Sequence, residues 1–339
     1  ILLWLYMVAE FRLSESAFKG ALHCHSTTSD GVLSPEDVCR FYGKRGYSFV
    51  SVTDHNKLSR VSSKEITAIP GVEINTGKTS LGDTFHVVLV GVDEMPPVGV
   101  RDNPQDLIDW ALENDVYVYL AHPHWSVLSM KDMLEFNRVF ALEVYNHGSE
   151  VSIARGYSEQ YWDYVLSSGF MINGLATDDA HVYTFDADGG WVVVNSNSRD
   201  ADDILDALKR GDFYSSCGPV VKYAEASKDR LLVMCSPVRI VKFISYGDRG
   251  IVVSLDLLRA LDKGMGLSWP IVDFHVDVVE PYTVYHLDVA ERFRVVVKVD
   301  DGIQELSVSG SGIPLDRFVR VEVVDDLGRH AWVNPFTLD

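Results

Sequence analysis

The chain has 339 residues, enough for two domains and at least one large core. Hydrophobic residues make up 47% and charged residues 23%, a balance that excludes a disordered chain. The 49 acidic against 30 basic side chains leave a formal net charge of -19. That excludes a broad basic surface for long nucleic acid, but not phosphate chemistry in which metal ions supply the positive charge. Eight of the 11 histidines fall between His23 and His181, so imidazoles and carboxylates are concentrated where a multi-metal site would need them.

Residues 1–9 are apolar but lack a basic flank and run into Glu10, unlike a signal peptide. They read equally as residues upstream of a start at Met7 or as a first strand. No apolar run reaches the ~18–20 residues that span a bilayer, so no membrane partner is expected. Cys24, Cys39, Cys217 and Cys235 form no CxxC pair, and a chain this long needs no disulfides. Reduced thiols and a cytoplasmic address are therefore expected.

From about residue 18 to 217, short apolar strands alternate with helices. Strands are predicted at 21–25, 49–53, 85–91, 116–121, 141–145, 171–177 and 191–195. Helices are predicted at 35–45, 104–114, 130–137, 158–167 and 200–209. Ser34 caps the first with Pro35 at its first position, and Gly211 ends the last. Such alternation predicts a parallel sheet, either open or closed into a barrel. After Gly218-Pro219 the texture changes to β-branched runs separated by turn signals, with one helix at 255–262. This predicts a small antiparallel β-sandwich. The expected domains are residues 1–219 and 220–339.

The chemistry-bearing residues stand just beyond apolar runs. His23-Cys24-His25 ends a strand, and the period of two puts both imidazoles on one face and the thiol on the other. Ser29-Asp30-Gly31 comes next. Then come Thr53-Asp54-His55-Asn56, Gly71-Val72-Glu73, His122-Pro123-His124, Glu143-Val144-Tyr145-Asn146-His147 and Asp178-Asp179-Ala180-His181. In strand–helix folds the carboxyl ends of strands share one rim, where active sites form. Other patterns fail: Gly71 to Thr79 has five residues between its glycines where a P-loop needs four, and no GxSxG elbow is present.

This series of motifs resembles the PHP (polymerase and histidinol phosphatase) family of metal-dependent phosphoesterases, over about residues 18–217. It is similar above all to the two-domain PHP-like subgroup. The resemblance implies a distorted (β/α)7 barrel followed by the β-sandwich, with two or three divalent ions (Mn2+, Zn2+ or Fe2+) at the strand ends. Carried over, it implies a first ion on His23, His25, Glu73 and Asp179. A second would be bridged by Glu73 and held by His122 and a residue of the Asn146-His147 pair, with His124 as another option. A third would take Asp30, His55 and His181. Asp178 and Asp54 are read as supports of the ligands or of the strand ends.

Glu73, His55, Asp179 and His181 are the expected catalytic residues. Such ions lower the pKa of a shared water, giving hydroxide for in-line attack on phosphorus. Lys57, Arg60 and Arg155 are candidate phosphate contacts on an otherwise acidic rim. His86 lies inside an apolar strand and is read as a core histidine. His275, His286 and His330 are read as structural or exposed. The expected activity is hydrolysis of a small phosphorylated metabolite, nucleotide or short oligonucleotide end. The alternatives are an exonuclease-type phosphodiesterase and a degenerate scaffold with the sandwich as interaction module. The oligomeric state stays open.

Overall fold

In a computed structural model, residues 9–136, 138–265, 270–290 and 292–338 are described. The sequence reading of residues 1–8 lies outside them. The chain divides into two compact units: residues 14–215, and residues 216–338 together with 9–13. The N-terminal stretch therefore departs from the expected 1–219 domain. Strand β1 (Ala9–Arg12) pairs antiparallel with a strand near residue 224, a long-range partnership that no local pattern announces.

The residue 14–215 unit runs β2 (Ala17–Ala21), α1 (Pro35–Gly43), β3 (Phe49–Val52), β4 (Thr67–Thr76) and β5 (Phe85–Val90). It continues with α2 (Val98–Arg101), α3 (Pro104–Glu113), β6 (Tyr117–Leu120), α4 (Met130–Glu135), β7 (Ala141–Asn146) and α5 (His147–Ile153). It closes with α6 (Glu159–Ser167), β8 (Asn173–Thr177), β9 (Trp191–Asn195), α7 (Ala201–Arg210) and β10 (Phe213–Ser216). The helices begin as their sequences dictate. Ser34 accepts a hydrogen bond from the Asp37 amide with Pro35 next, and Ser129 and Asp132 form a capping box on α4. Gly211 ends α7 in the left-handed region.

The strands line up in the order β10-β9-β2-β3-β4-β5-β6-β7-β8. Strands β2, β3 and β4 are mutually parallel, as are β6, β7 and β8, but β5 runs antiparallel to both its neighbours and β9 antiparallel to β2. The sheet is thus mixed, and among the described residues it forms no closed sheet of the kind the (β/α)7 expectation implies. Past the ends of β2 and β8 the chain forms one parallel bridge, Cys24 with Ala180. The bonds from His25 N to Ala180 O and from Asp179 N to His23 O, each 2.9 Å, fix that junction.

Its core lies on both faces of the sheet. One cluster packs Phe49, Tyr117, Tyr119, Leu175 and Phe213 with Ile204 and Leu208 of α7. The other packs Cys24, Val38, Tyr42, Val50 and Val52. Strands buried on both faces read as continuous apolar runs, which is why they are legible in the sequence.

The other unit adds β11 (Val221–Ala226), β12 (Arg230–Val238), β13 (Ile240–Ser245), β14 (Gly250–Ser254), α8 (Leu255–Asp262), β15 (Ile271–Val279) and β16 (Tyr282–Val289). It ends with β17 (Phe293–Val299), β18 (Ile303–Ser309), β19 (Phe318–Val324) and β20 (His330–Thr337). These form two antiparallel sheets, β1-β11-β12-β18-β17-β16-β15 and β14-β13-β19-β20. Strand β12 lies against β19, and β13 against β18. Alternating Leu231 and Val233, Val241 and Phe243, and Leu306 and Val308 are buried.

Gly71 lets the backbone of β4 approach its neighbour just ahead of Glu73. A Cβ there would stand 2.2 Å from Ser51 Oγ and 2.9 Å from Thr53 Cγ2 of the neighbouring strand region. Gly71→Ala is expected to destabilise the protein by about 1–3 kcal/mol through overpacking. The check is the urea midpoint, and an unchanged midpoint would contradict the packing described.

Candidate metal centre

Because β2, β3, β4, β6, β7 and β8 share one direction, their carboxyl ends share one rim. His23 and His25 follow β2, Asp54 and His55 follow β3, Glu73 lies in β4, His122 follows β6, and Asp178 and Asp179 follow β8. The reversed strand β5 brings its first residues to that same rim, which places His86 there. The expectation of a core histidine is therefore wrong: His86 Nδ1 lies 2.7 Å from Glu73 Oε1, and its Nε2 lies 3.2 Å from Asn75 Nδ2. Two residues that turn the chain at the rim adopt positive φ, His122 at 27° and Asp179 at 55°. Such strain persists only where the surroundings fix it.

Four donor atoms converge most tightly. His23 Nε2 and His25 Nε2 are 3.3 Å apart, and each is 3.4 Å from Glu73 Oε2. Asp179 Oδ1 lies 3.4 Å from the first nitrogen and 2.9 Å from the second. Donors bonded at about 2 Å to one tetrahedral ion stand about 3.3 Å apart, which is close to these five separations. His23, His25 and Asp179 thus form a ligand group suited to a divalent ion, with Glu73 beside both imidazoles.

Around Glu73 Oε1 gather His86 Nδ1 and, at 3.3 Å, His122 Nε2. At the opening, Asp30 Oδ2 lies 3.6 Å from both His55 Nε2 and His181 Nε2, while His25 Nδ1 is 3.7 Å from Asp30 Oδ1. His55 Nδ1 and Glu73 Oε2 are 2.8 Å apart, yet both lack a well-formed hydrogen bond, as does buried His25 Nδ1. Orphaned donors on converging imidazoles and carboxylates suit cations, which ask for lone pairs rather than for hydrogens. All these donors lie between His23 and His181.

Asn146 and His147 do not serve as the motif resemblance implies. Asn146 Oδ1 accepts from Ser149 N as the cap of α5, and its Nδ2 donates to Glu143 Oε2 at 2.8 Å and Asp179 Oδ2 at 3.2 Å. It steadies carboxylates from behind. His147 is turned to the Tyr145 hydroxyl at 2.9 Å and the Phe185 carbonyl at 3.2 Å. His124 Nδ1 lies 3.0 Å from the Tyr157 carbonyl. The place expected for those residues beside Glu73 and His122 is taken by His86.

Supporting carboxylates fix the donors. Buried Glu143 accepts from His23 Nδ1 at 2.7 Å and from His122 N at 2.8 Å, which sets the His23 ring so that Nε2 faces the cluster. Glu143 belongs to one of the sequence motifs, but its spacing there assigns it no role. Asp54 accepts from the amides and hydroxyls of Ser26 and Ser29 and from the Ser59 hydroxyl. Asp178 accepts from Tyr42 Oη and the amides of Asp188, Gly189 and Gly190. Lys57 is exposed and donates to the Thr28 carbonyl at 2.6 Å, beside the Asp30 loop, whereas Arg60 and Arg155 are exposed. Trp125 stands edge-on to His122 and His86, ring centroids 4.9 and 5.8 Å away.

The electrostatics are those of a cation site held together by protons. Burial opposes charge on Glu73 and Asp179, but the surrounding histidines win and hold both carboxyls well below their ordinary range. Burial likewise opposes charge on His23, and Asp179, Glu143 and Glu73 override it, raising it well above 6.5. His55 and His122 are raised against burial chiefly by Glu73. For His25 burial dominates and the value falls.

No family model matches the chain. Over 83 residues it is 36% identical to a 5'-3' exoribonuclease of Haemophilus influenzae. That match covers 22% of this chain and 30% of the exoribonuclease, so the chain spans under a third of that relative's length. Among solved structures it is similar to a two-domain protein of Bacteroides vulgatus containing a predicted PHP-like metal-dependent phosphoesterase. The TM-score is 0.47 at 14% identity, over 94% of each chain. It is also similar to an amidohydrolase of Chromobacterium violaceum, with a TM-score of 0.37 at 16% identity over 49% of this chain and 89% of that one.

The pKa directions fix a pH dependence. Protonation of His23, His55 and His122 stabilises the metal-free fold fully below about pH 6.5 and is lost as pH rises through their raised values. His25, with a lowered value, works the other way, one group against three. Glu73 and Asp179 contribute above the ordinary carboxylate range and lose that contribution only in acid. The thermal midpoint of chelator-treated protein is therefore expected to fall between about pH 6.5 and 9, and saturating Zn2+ or Mn2+ to remove the fall. Parallel pH profiles with and without metal would contradict this.

Proposed function

We propose that the chain is a metal-dependent phosphoesterase of the PHP type acting on a small phosphorylated metabolite, nucleotide or short oligonucleotide end. One observation carries the reading: His23 and His25 lie 3.3 Å apart with Glu73 and Asp179 oxygens each 2.9–3.4 Å from both, and Glu73 also faces His86 and His122. Two or three ions of Mn2+, Zn2+ or Fe2+ are the proposed occupants, the third on Asp30, His55 and His181. When bound, such ions polarise phosphoryl oxygens and lower the pKa of water, which suits them to phosphoester hydrolysis.

The chain's own groups divide the remaining work. Glu73 and Asp179 supply the negative charge that gathers the cations, and Glu143 keeps the His23 and His122 donors in place. With two ions bound and the Asp30 set left to protons, His55 and His181, half-buried at the opening, would be the groups able to pass a proton to a leaving oxygen. Lys57, which donates to the Thr28 carbonyl beside the Asp30 loop, is the first proposed phosphate contact, with Arg60 and Arg155 as further ones. His23, His25 and Glu73 are themselves wholly buried, away from bulk water.

A second reading is an exonuclease-type phosphodiesterase, with which the partial match to the exoribonuclease is as compatible as with the first. The net charge of -19 makes long polyanions poor substrates and leaves short 5' ends as its natural scope. The complete donor set counts against a degenerate scaffold. All four cysteines are buried thiols outside any disulfide, which suits the reducing cytoplasm proposed as its compartment. No helix among the described residues is long and apolar enough to cross a membrane.

The test compares p-nitrophenyl phosphate, its bis ester and a short 5'-phosphorylated RNA in the presence of Mn2+. Glu73→Gln and Asp179→Asn are near-isosteric and are expected to lower turnover of the best substrate by more than about 100-fold, with far-ultraviolet circular dichroism retained. Activity retained in Glu73→Gln would overturn the bridging role.

A further inference from the structure

The residue 216–338 unit carries its own candidate cation site, far in sequence from the Glu73 cluster. Strand β15 is the outer strand of its sheet and pairs only with β16 among the described strands. In that register His275 stands directly opposite His286, and their rings stack at 4.4 Å between centroids with planes 6° apart. Side chains of a strand alternate, so Asp273 and Asp277 share the face of His275. Asp277 Oδ2 lies 3.2 Å from His286 Nε2, and Asp273 Oδ2 lies 3.5 Å from His275 Nδ1.

We propose that His275, His286 and Asp277 form a surface binding site for a borderline divalent cation, Zn2+ foremost. One ligand atom from each of the three lies within 4.8 Å of the other two. Two bonds of about 2.0 Å at a tetrahedral angle need nitrogens about 3.3 Å apart, a spacing reached by rotating side chains on a fixed backbone. Two imidazoles and one carboxylate make a three-ligand set that leaves a fourth position to water, and imidazole donors favour Zn2+ over Mg2+ or Ca2+.

The neighbouring charges fit this assignment. Asp288, the next acid along the same face of β16, is already engaged by Arg294 through two bonds of 2.6 and 2.8 Å. Asp273 and Asp277 are both exposed, and among the described residues their ion pairs are with these histidines. A cation bound here ties the outer strand to its neighbour. Val272, Val276, Val278 and Val279 of that strand are exposed, so its pairing rests on few buried contacts. The ion is therefore structural rather than catalytic, and the hydrolytic site has no part in it.

The experiment uses the full chain. Zn2+ bound at equilibrium is measured by dialysis and elemental analysis for the wild type and for His275→Gln/His286→Gln, at about 10 µM free metal. The expected result is one equivalent fewer in the double variant, with the phosphatase rate on p-nitrophenyl phosphate unchanged. Equal stoichiometry in the two proteins would overturn the proposal. A second measurement needs no variant: carbethoxylation of wild-type histidines, read by peptide mass spectrometry with and without Zn2+. Protection of His275 and His286 by Zn2+ supports the site, and equal modification of both refutes it.

Discussion

Glu73 is wholly buried with a charge it cannot shed, and the rim of the strand ends is arranged around that constraint. A buried carboxylate costs several kcal/mol unless paired. Here its two oxygens face five imidazoles, those of His23, His25, His55, His86 and His122. Imidazoles are strong partners only when protonated or when they share a cation. The same geometry therefore accounts for the raised histidines, the depressed carboxyls and the capacity to gather divalent metal. Because one carboxylate spans two donor sets, the two cations it could hold would be coupled through it.

A further layer of acids holds the loops that carry those donors. Asp54, Asp178 and Asp186 each collect hydrogen bonds from turn residues. Asp186 takes the amides of His181, Val182 and Tyr183, which fixes the turn bearing His181. Asp54 binds the loop that presents Asp30, and Asp178 the loop that follows Asp179. Part of the chain's acidity is thus internal, ordering loop backbone rather than repelling solvent anions. The positive φ of His122 is held by its amide bond to Glu143, and that of Asp179 by its amide bond to the His23 carbonyl.

Much of the site is legible in the sequence because metal-type donors recur just past apolar runs. His23, His25, His55, His122 and Asp179 need only that pattern. Strand polarity is not legible. Reading every strand as parallel puts His86 in the middle of the core, whereas the reversal of β5 delivers it to the rim opposite Asn75 and two residues from Glu73. The clue is the short connection between the two strands, too short to carry a crossover helix. Asn146 and His147 are misplaced for a different reason. Their expected roles rest on resemblance, but locally Asn146 is a helix cap, and α5 begins where a ligand loop is expected. The reversal of β9 against β2 and the membership of Ala9–Arg12 in the residue 216–338 unit are long-range facts that no local period encodes.

The most direct test of the central claim is anomalous X-ray diffraction from crystals of the metal-loaded protein, collected at the Zn or Mn edge. Two or more peaks are expected in the buried cluster. One should be shared by His23 Nε2, His25 Nε2, Glu73 and Asp179, and one by Glu73, His86 and His122. Fully loaded protein with no anomalous peak beside Glu73 would contradict the account.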